Sequence, residues 1–147
     1  MTEISPEEAK RRLDAGGWVY LDVRTVPEFA AGHAVGAINV PVAVMNPAMG
    51  RMELNADFVR VVEARVAKDA ALIVGCKSGQ RSATAIEILQ QAGYRRMVNL
   101  AGGFGGVVDP TGQVLQEGWS TLGFPVEHGQ NECGSYEALR AQANEKC

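Results

Sequence analysis

The residues best equipped for chemistry stand together in "VGCKSGQRSA", residues 74–83, where a cysteine is followed by a lysine, a glycine, an arginine and a serine. The stretch follows an apolar run, "AALIV" (70–74), and leads into a helical pattern, "ATAIEILQQAG" (83–93). A short loop between a strand and a helix N-terminus turns its backbone N–H groups inward and forms an anion-binding nest. Gly79 suits the positive-φ turn that such a loop needs, and Ser82 is placed to cap the helix that follows. Helix N-termini and nearby Lys or Arg lower a cysteine pKa from about 8.5 to roughly 3.5–7.5. Cys76, with Lys77 and Arg81 in its own loop, is therefore expected to be a thiolate at neutral pH and a nucleophile toward an anionic substrate. A lone cysteine at the end of an apolar strand is more often a small buried hydrophobe. Two cations and a glycine within five residues turn the balance toward chemistry.

The length of the loop then narrows the reaction. Four residues separate Cys76 from Arg81. Tyrosine-phosphatase-like enzymes use a similar cradle with five, and usually a His before the Cys, where this chain has Gly75. A ring one residue smaller is too tight for a tetrahedral phosphate around the sulfur. It is well sized for one extra sulfur atom on the cysteine, with the loop amides stabilising the negative charge of a persulfide. A phosphatase or arsenate reductase is accordingly the weaker alternative.

The surrounding elements must hold that loop in place. "SPEEAKRRL" opens a helix, with Ser5 as N-cap, Pro6 at the first helical position and Glu8 closing a capping box. "WVYLDV" (18–23) reads as a buried strand, "VPEFAAGH" (26–33) as a short helix and "AINVP" (37–41) as a second strand. A loop rich in Pro, Met and Gly is expected over 42–54, followed by a helix capped by Asn55, with Phe58, Val61, Val62 and Val66 as its buried stripe. "ALIVG", a helix over 82–92 and the strand "MVNL" (97–100) follow. After Ser120 there is little strand character, and "SYEALRAQANEK" (135–146) reads as a terminal amphipathic helix. Strands alternating with helices predict an α/β fold, an open and mainly parallel sheet of about five strands with helices on both faces. Ligands of such sheets bind beyond the carboxyl ends of the strands, the edge that carries Asp22, Arg24 and Cys76.

Composition bounds the remaining classes. At 147 residues, 46% hydrophobic and 21% charged, the chain is one ordinary globular domain. A net charge of −3 argues against nucleic acid as the partner. No apolar run approaches the roughly 18 residues of a membrane span, and "MTEISPEEAKRR" lacks the pattern of a signal peptide. A cytoplasmic location is the expectation. Cys76, Cys133 and Cys147 are an odd number at no metal-like spacing, and His33 and His128 stand alone. No metal, disulfide framework or cofactor is expected.

Three ordered motifs then resemble the rhodanese family, specifically its single-domain sulfurtransferases. "CKSGQRS" is similar to the family's active loop, six residues Cys-x-x-Gly-x-Arg followed by Ser, and "YLDVRTVPEFAAGHAVGAINVP" (20–41) to the family's other hallmark. "LAGGF" (100–104) with "WSTLGFPV" (119–126) resembles the closing segment, so the likeness runs over about residues 3–127. It implies ping-pong transfer through a covalent intermediate. Cys76 takes sulfane sulfur from an anionic donor such as thiosulfate and passes it to cyanide, a small thiol or a protein thiol. The active loop would comprise Lys77, Ser78, Gly79, Gln80, Arg81 and Ser82, with its amides as the cradle. Two roles are open to Arg81: attracting the donor's oxyanion with Lys77, or pinning the loop through a carboxylate. Asp22 and Arg24 match an Asp-x-Arg pair and are read as supporting the loop or a neighbouring helix, while Arg24 and Glu28, four apart, are spaced to pair across a helical turn. His33 is read as anchoring a turn. A rival of another class is a rhodanese-like module that carries persulfide or docks partners without turnover.

The chain departs from the family pattern in two places. Between Gly103 and Trp119 lie "FGGVVDPTGQVLQEG" (104–118), an apparent insertion at about 105–116. Its glycines and "DPTG" turn predict a hairpin or flap on the active edge, with partial cover of Cys76 as the hypothesis and a harmless surface insertion as its counterpart. The domain is expected over 1–127. The tail, 128–147, carries Cys133 and Cys147, which are read as idle rather than as sulfur relays.

Overall fold

A computed structural model describes residues 2–77, 80–129 and 134–144. The elements run β1 (Glu3–Ile4), α1 (Pro6–Ala15), β2 (Trp18–Asp22), α2 (Val26–Ala31), β3 (His33–Ala34), β4 (Ile38–Asn39), β5 (Ala43–Asn46), β6 (Arg51–Leu54), α3 (Phe58–Arg65), β7 (Ala71–Gly75), α4 (Gln80–Gln91), β8 (Arg96–Leu100), β9 (Val107–Val108), β10 (Val114–Gln116), β11 (Val126–Glu127) and α5 (Tyr136–Asn144). Five strands form an all-parallel sheet in the order β1-β8-β7-β2-β4. Parallel pairing sends every carboxyl end to one edge. Register aligns Asp22 with Gly75 on one side and with Asn39 on the other, and Val74 with Asn99.

Side-chain alternation in the strands builds two cores. Leu21, Leu72 and Val74 face a cluster with Val61 and Val62 of α3, Ile86 and Leu89 of α4, and Leu139 of α5. Tyr20, Ile73 and Val98 face the opposite cluster with Ala9 of α1, Phe29 of α2 and Trp119. Helices thus cover both faces, as the alternating pattern requires. Cys76 continues the Leu72–Val74 alternation and belongs to the first cluster.

Four local expectations need correction. The stretch 42–54 is not a plain loop but the antiparallel hairpin β5–β6. Its Met and Val residues can alternate across two short strands, and Asn46 accepts the N–H groups of Ala48 and Met49 to close the turn. The N-cap of α3 is Asp57; Asn55 sits two residues earlier, its side chain accepting the Asp57 N–H at 3.0 Å. Strand character returns after Ser120, where β11 pairs antiparallel with β3. Most consequential, the tail is not an appendage. Tyr136 and Leu139 of α5 are buried in the first core, and the Tyr136 hydroxyl lies 3.0 Å from Asn55 Nδ2. The boundary expected after residue 127 therefore cuts through a packed core.

Truncating a fully buried leucine costs about 2–5 kcal/mol. Leu139→Ala is expected to lower unfolding free energy by that amount in urea denaturation. A change below about 0.5 kcal/mol, the size of a neutral surface substitution, would place α5 outside the cooperative unit.

Candidate active site

Cys76 follows directly on β7, and the residue is only 1% exposed. The sulfur lies 3.5 Å from Ser82 Oγ. Ser82 does not cap α4, which starts two residues earlier at Gln80. Its hydroxyl instead donates to Asn99 Oδ1 at 2.6 Å. Ser82 and Asn99 are both buried. With its hydrogen on Asn99, the Ser82 oxygen offers Sγ only lone pairs; rotation about the C–O bond turns the hydroxyl into a donor toward a sulfur anion. Asn99 is the functional candidate that motif reading passed over. Its only signal is a polar residue at the carboxyl end of an otherwise apolar strand.

The two cations take up different positions. Lys77 is exposed, and its stem runs beside Gly105. Arg81 is held by Glu28 in a two-point ion pair, Nη1 to Oε1 at 2.6 Å and Nη2 to Oε2 at 3.0 Å. Glu28 also accepts the Thr25 N–H at 3.2 Å and the Thr25 hydroxyl at 2.9 Å, which fixes it at the start of α2. The Arg81 hydrogen bonds, with those from Thr25, hold the Glu28 carboxyl down at about 2, against the opposing effect of burial. The same Glu28 contact raises Arg81 above its ordinary value, and the nearby Cys76 and Asp22 add to this. Of the two roles open to Arg81, the structure shows the contact with a carboxylate. The expected Arg24–Glu28 pairing is not made, because each residue has a better-placed partner.

Arg24 turns back to Asp22. Its Nε reaches Oδ1 at 3.0 Å, its Nη2 reaches Oδ2 at 2.8 Å, and the Arg24 N–H donates to Oδ1 at 3.0 Å. Nη2 also donates to the Gly32 carbonyl at 2.7 Å, so the pair secures the end of α2. The Phe104 ring covers the guanidinium at 4.3 Å. Asn39 Nδ2 completes this layer by donating to the carbonyls of Asp22 and Arg24. His33 lies under α2 with Nδ1 2.7 Å from the Phe29 carbonyl and Nε2 3.0 Å from Glu127 Oε1.

Two features lock the backbone on either side of the sulfur. Phe104 and Gly105 donate their N–H groups to the carbonyls of Cys76 (2.7 Å) and Lys77 (2.9 Å). Gly103 has φ +57°, and a Cβ there would stand 2.3 Å from the Cys76 carbonyl oxygen, so only glycine fits. The start of the insertion thus clamps the loop, while its outer part is the β9–β10 hairpin. On the other side, a Cβ on Gly75 would meet the buried Tyr20 hydroxyl at 2.9 Å. Burial, then the Asp22 and Cys76 charges, push that phenol well above its ordinary value, so Tyr20 stays neutral. Ser78 and Gly79 of the expected cradle, and the tail residues Cys133 and Cys147, lie outside the described residues.

Because Glu28 is held near 2 against an ordinary 4.5, the unfolded chain binds more protons between those values, and the contribution of the pair falls as pH falls. Wild type is expected to be more stable than Glu28→Gln above pH 4.5 and to lose that lead progressively toward pH 2, as read by urea midpoints at stepped pH. A lead that stays constant through that window would show that Arg81 does not hold the carboxylate ionised.

Comparison with known proteins adds the last observations. A family model described as "Rhodanese-like domain" matches residues 5–109. "Thiosulfate sulfurtransferase 16, chloroplastic" of Arabidopsis thaliana is 44% identical over 88 residues, 60% of this chain and 72% of the relative. "Rhodanese-like domain-containing protein 15, chloroplastic" of the same plant is 40% identical over 99 residues, 67% of this chain but only 53% of the relative. Compared with the second, therefore, this chain spans about half a protein. Among solved structures, that of Rv0390 from M. tuberculosis superposes with a TM-score of 0.72 at 27% identity, covering 88% of this chain and 98% of that one. No helix among the described residues is long and apolar enough to cross a membrane.

Proposed function

Because this chain belongs to the rhodanese-like family, we propose that it is a thiosulfate sulfurtransferase in which Cys76 carries one sulfur atom between two substrates. The observation that carries the reading is the placement of Cys76: at the carboxyl end of a parallel strand, with a hydroxyl 3.5 Å from its sulfur. In the first half-reaction the Cys76 thiolate attacks the outer sulfur of thiosulfate. The S–S bond of the donor breaks, sulfite leaves with the electron pair, and Cys76 holds a persulfide. In the second, cyanide or a thiolate attacks the outer sulfur, the electron pair returns to Cys76 and the thiolate is restored. Ser82 donates to whichever sulfur anion is present, turning away from Asn99 to do so. Arg81 orients the loop through Glu28, and the exposed Lys77 draws the anionic donor toward the edge. A reducing compartment, the cytoplasm, belongs to the proposal, and cell fractionation tests it.

Phosphatase chemistry fits less well. The Tyr20 hydroxyl fills the space where a residue preceding the cysteine would place its side chain, so the histidine of such enzymes has no room. One observation does favour a second reading. A cysteine only 1% exposed suits a carrier that is loaded and discharged by a dedicated partner rather than by freely diffusing anions. Thiocyanate formation from thiosulfate and cyanide separates the two. Wild type is expected to turn over many times and Cys76→Ser to fall to the uncatalysed background. Wild-type turnover no faster than Cys76→Ser would remove the enzyme reading and leave the carrier.

A further inference from the structure

The β5–β6 hairpin leaves the sheet after β4, on the edge where Cys76 lies, and it is more apolar than its position requires. Met45, Met52 and Leu54 are 57%, 39% and 63% exposed. Between this hairpin and the start of α2 opens a cleft of about 560 Å³. Val44, Met45 and Met52 form its hairpin side, Val26 its helix side, and the Glu28–Arg81 pair completes the lining with Thr25, Pro27 and Pro41. Val26, in the cleft wall, and Ala43, beside it in the hairpin, pack on the core cluster that also contains Cys76 and Val42. Arg81 belongs to the cysteine loop and also lines the cleft, so the two share a wall.

The chemistry of the lining restricts what can bind there. Arg81 is already neutralised by the Glu28 carboxylate, to which it donates two hydrogen bonds, so the charged part of the lining offers no net attraction to an inorganic dianion. The remaining wall is aliphatic and thioether, and methionine side chains adapt to varied apolar shapes. A volume of this size is typical of clefts for small organic ligands. We infer that the cleft holds the apolar body of a small organic monothiol, and that this thiol is the acceptor for the sulfur on Cys76. The inference rests on the persulfide reading above. In the step, the acceptor thiolate attacks the outer persulfide sulfur. A new S–S bond forms on the acceptor, the old one breaks, and its electron pair returns to the Cys76 sulfur. The acceptor leaves as its own persulfide, with no oxidant or reductant consumed.

The test has two arms. In the first, Cys76 is loaded with thiosulfate and discharged by 2-mercaptoethanol, 4-mercaptobutanol or 6-mercaptohexanol. The second-order rate should rise with chain length by up to about fourfold per methylene, the value of burying a CH₂ group. In Met45→Asp and in Met52→Asp, two exposed positions, the ratio of the six-carbon to the two-carbon rate should collapse toward one. The second arm needs no sulfur transfer: 1-hexanol is added to Cys76→Ser protein carrying ¹³C-methyl methionine. The methyl signals of Met45 and Met52 should shift, and that of Met97, on β8, should not. A rate independent of chain length, or unmoved Met45 and Met52 signals, would overturn the inference. Failure of every acceptor, cyanide included, would defeat the persulfide reading instead, and the methyl signals would still decide whether the cleft accepts an apolar body.

Discussion

The two-point ion pair between Arg81 and Glu28 is the contact on which the geometry of the active edge depends. It ties the first turn of α4 to the first turn of α2, across the carboxyl ends of the central strands β7 and β2. A guanidinium matches a carboxylate in this planar, two-bond manner, and a lysine at the same place would supply only a point charge. The pair has a chemical consequence. A cation for which the sequence leaves both a substrate and a carboxylate role open is engaged by the protein's own carboxylate, so the edge is closer to neutral than its composition suggests.

Beneath this pair lies a layer of buried polar side chains at the strand ends: Asn39, Asp22 with Arg24, and Asn99 with Ser82. Buried polar groups cost stability unless partnered. Asp22, Arg24, Ser82 and the Asn39 amide are each spent on holding a backbone carbonyl, a helix end or a neighbouring side chain. A parallel sheet has no other use for such residues in its interior. The glycines serve the same end from outside, since Gly103 and Gly75 let the Phe104 segment and the Tyr20 ring close upon the cysteine backbone. The thiol lies beside a hydroxyl that can change partner, in a residue with almost no solvent exposure. A single added sulfur fits such a setting better than a bulky, solvated anion.

Much of this was legible in the residues. The Cys-x4-Arg spacing, the apolar run before it and the Asp-x-Arg pair on another strand pointed to one sheet edge, and parallel topology does bring those strand ends together. Local spacing failed where tertiary partners compete. Arg24 and Glu28 are four apart, yet each pairs elsewhere, and the partner Arg81 lies 53 residues along the chain from Glu28. Asn99 carries no motif; only the register of β8 against β7 brings it beneath the cysteine loop. Pro, Met and Gly masked the β5–β6 hairpin because short exposed strands lack a buried face to impose alternation. The tail helix was visible as a helix, but nothing in its own pattern says that Tyr136 and Leu139 complete a distant core.

The most direct measurement is the intact mass of the protein after exposure to thiosulfate and removal of excess reagent, for wild type and for Cys76→Ser. Wild type should gain the mass of one sulfur atom and the variant none, with the gain lost on adding cyanide. No gain in wild type, or an equal gain in Cys76→Ser, would contradict a single sulfur carried on Cys76.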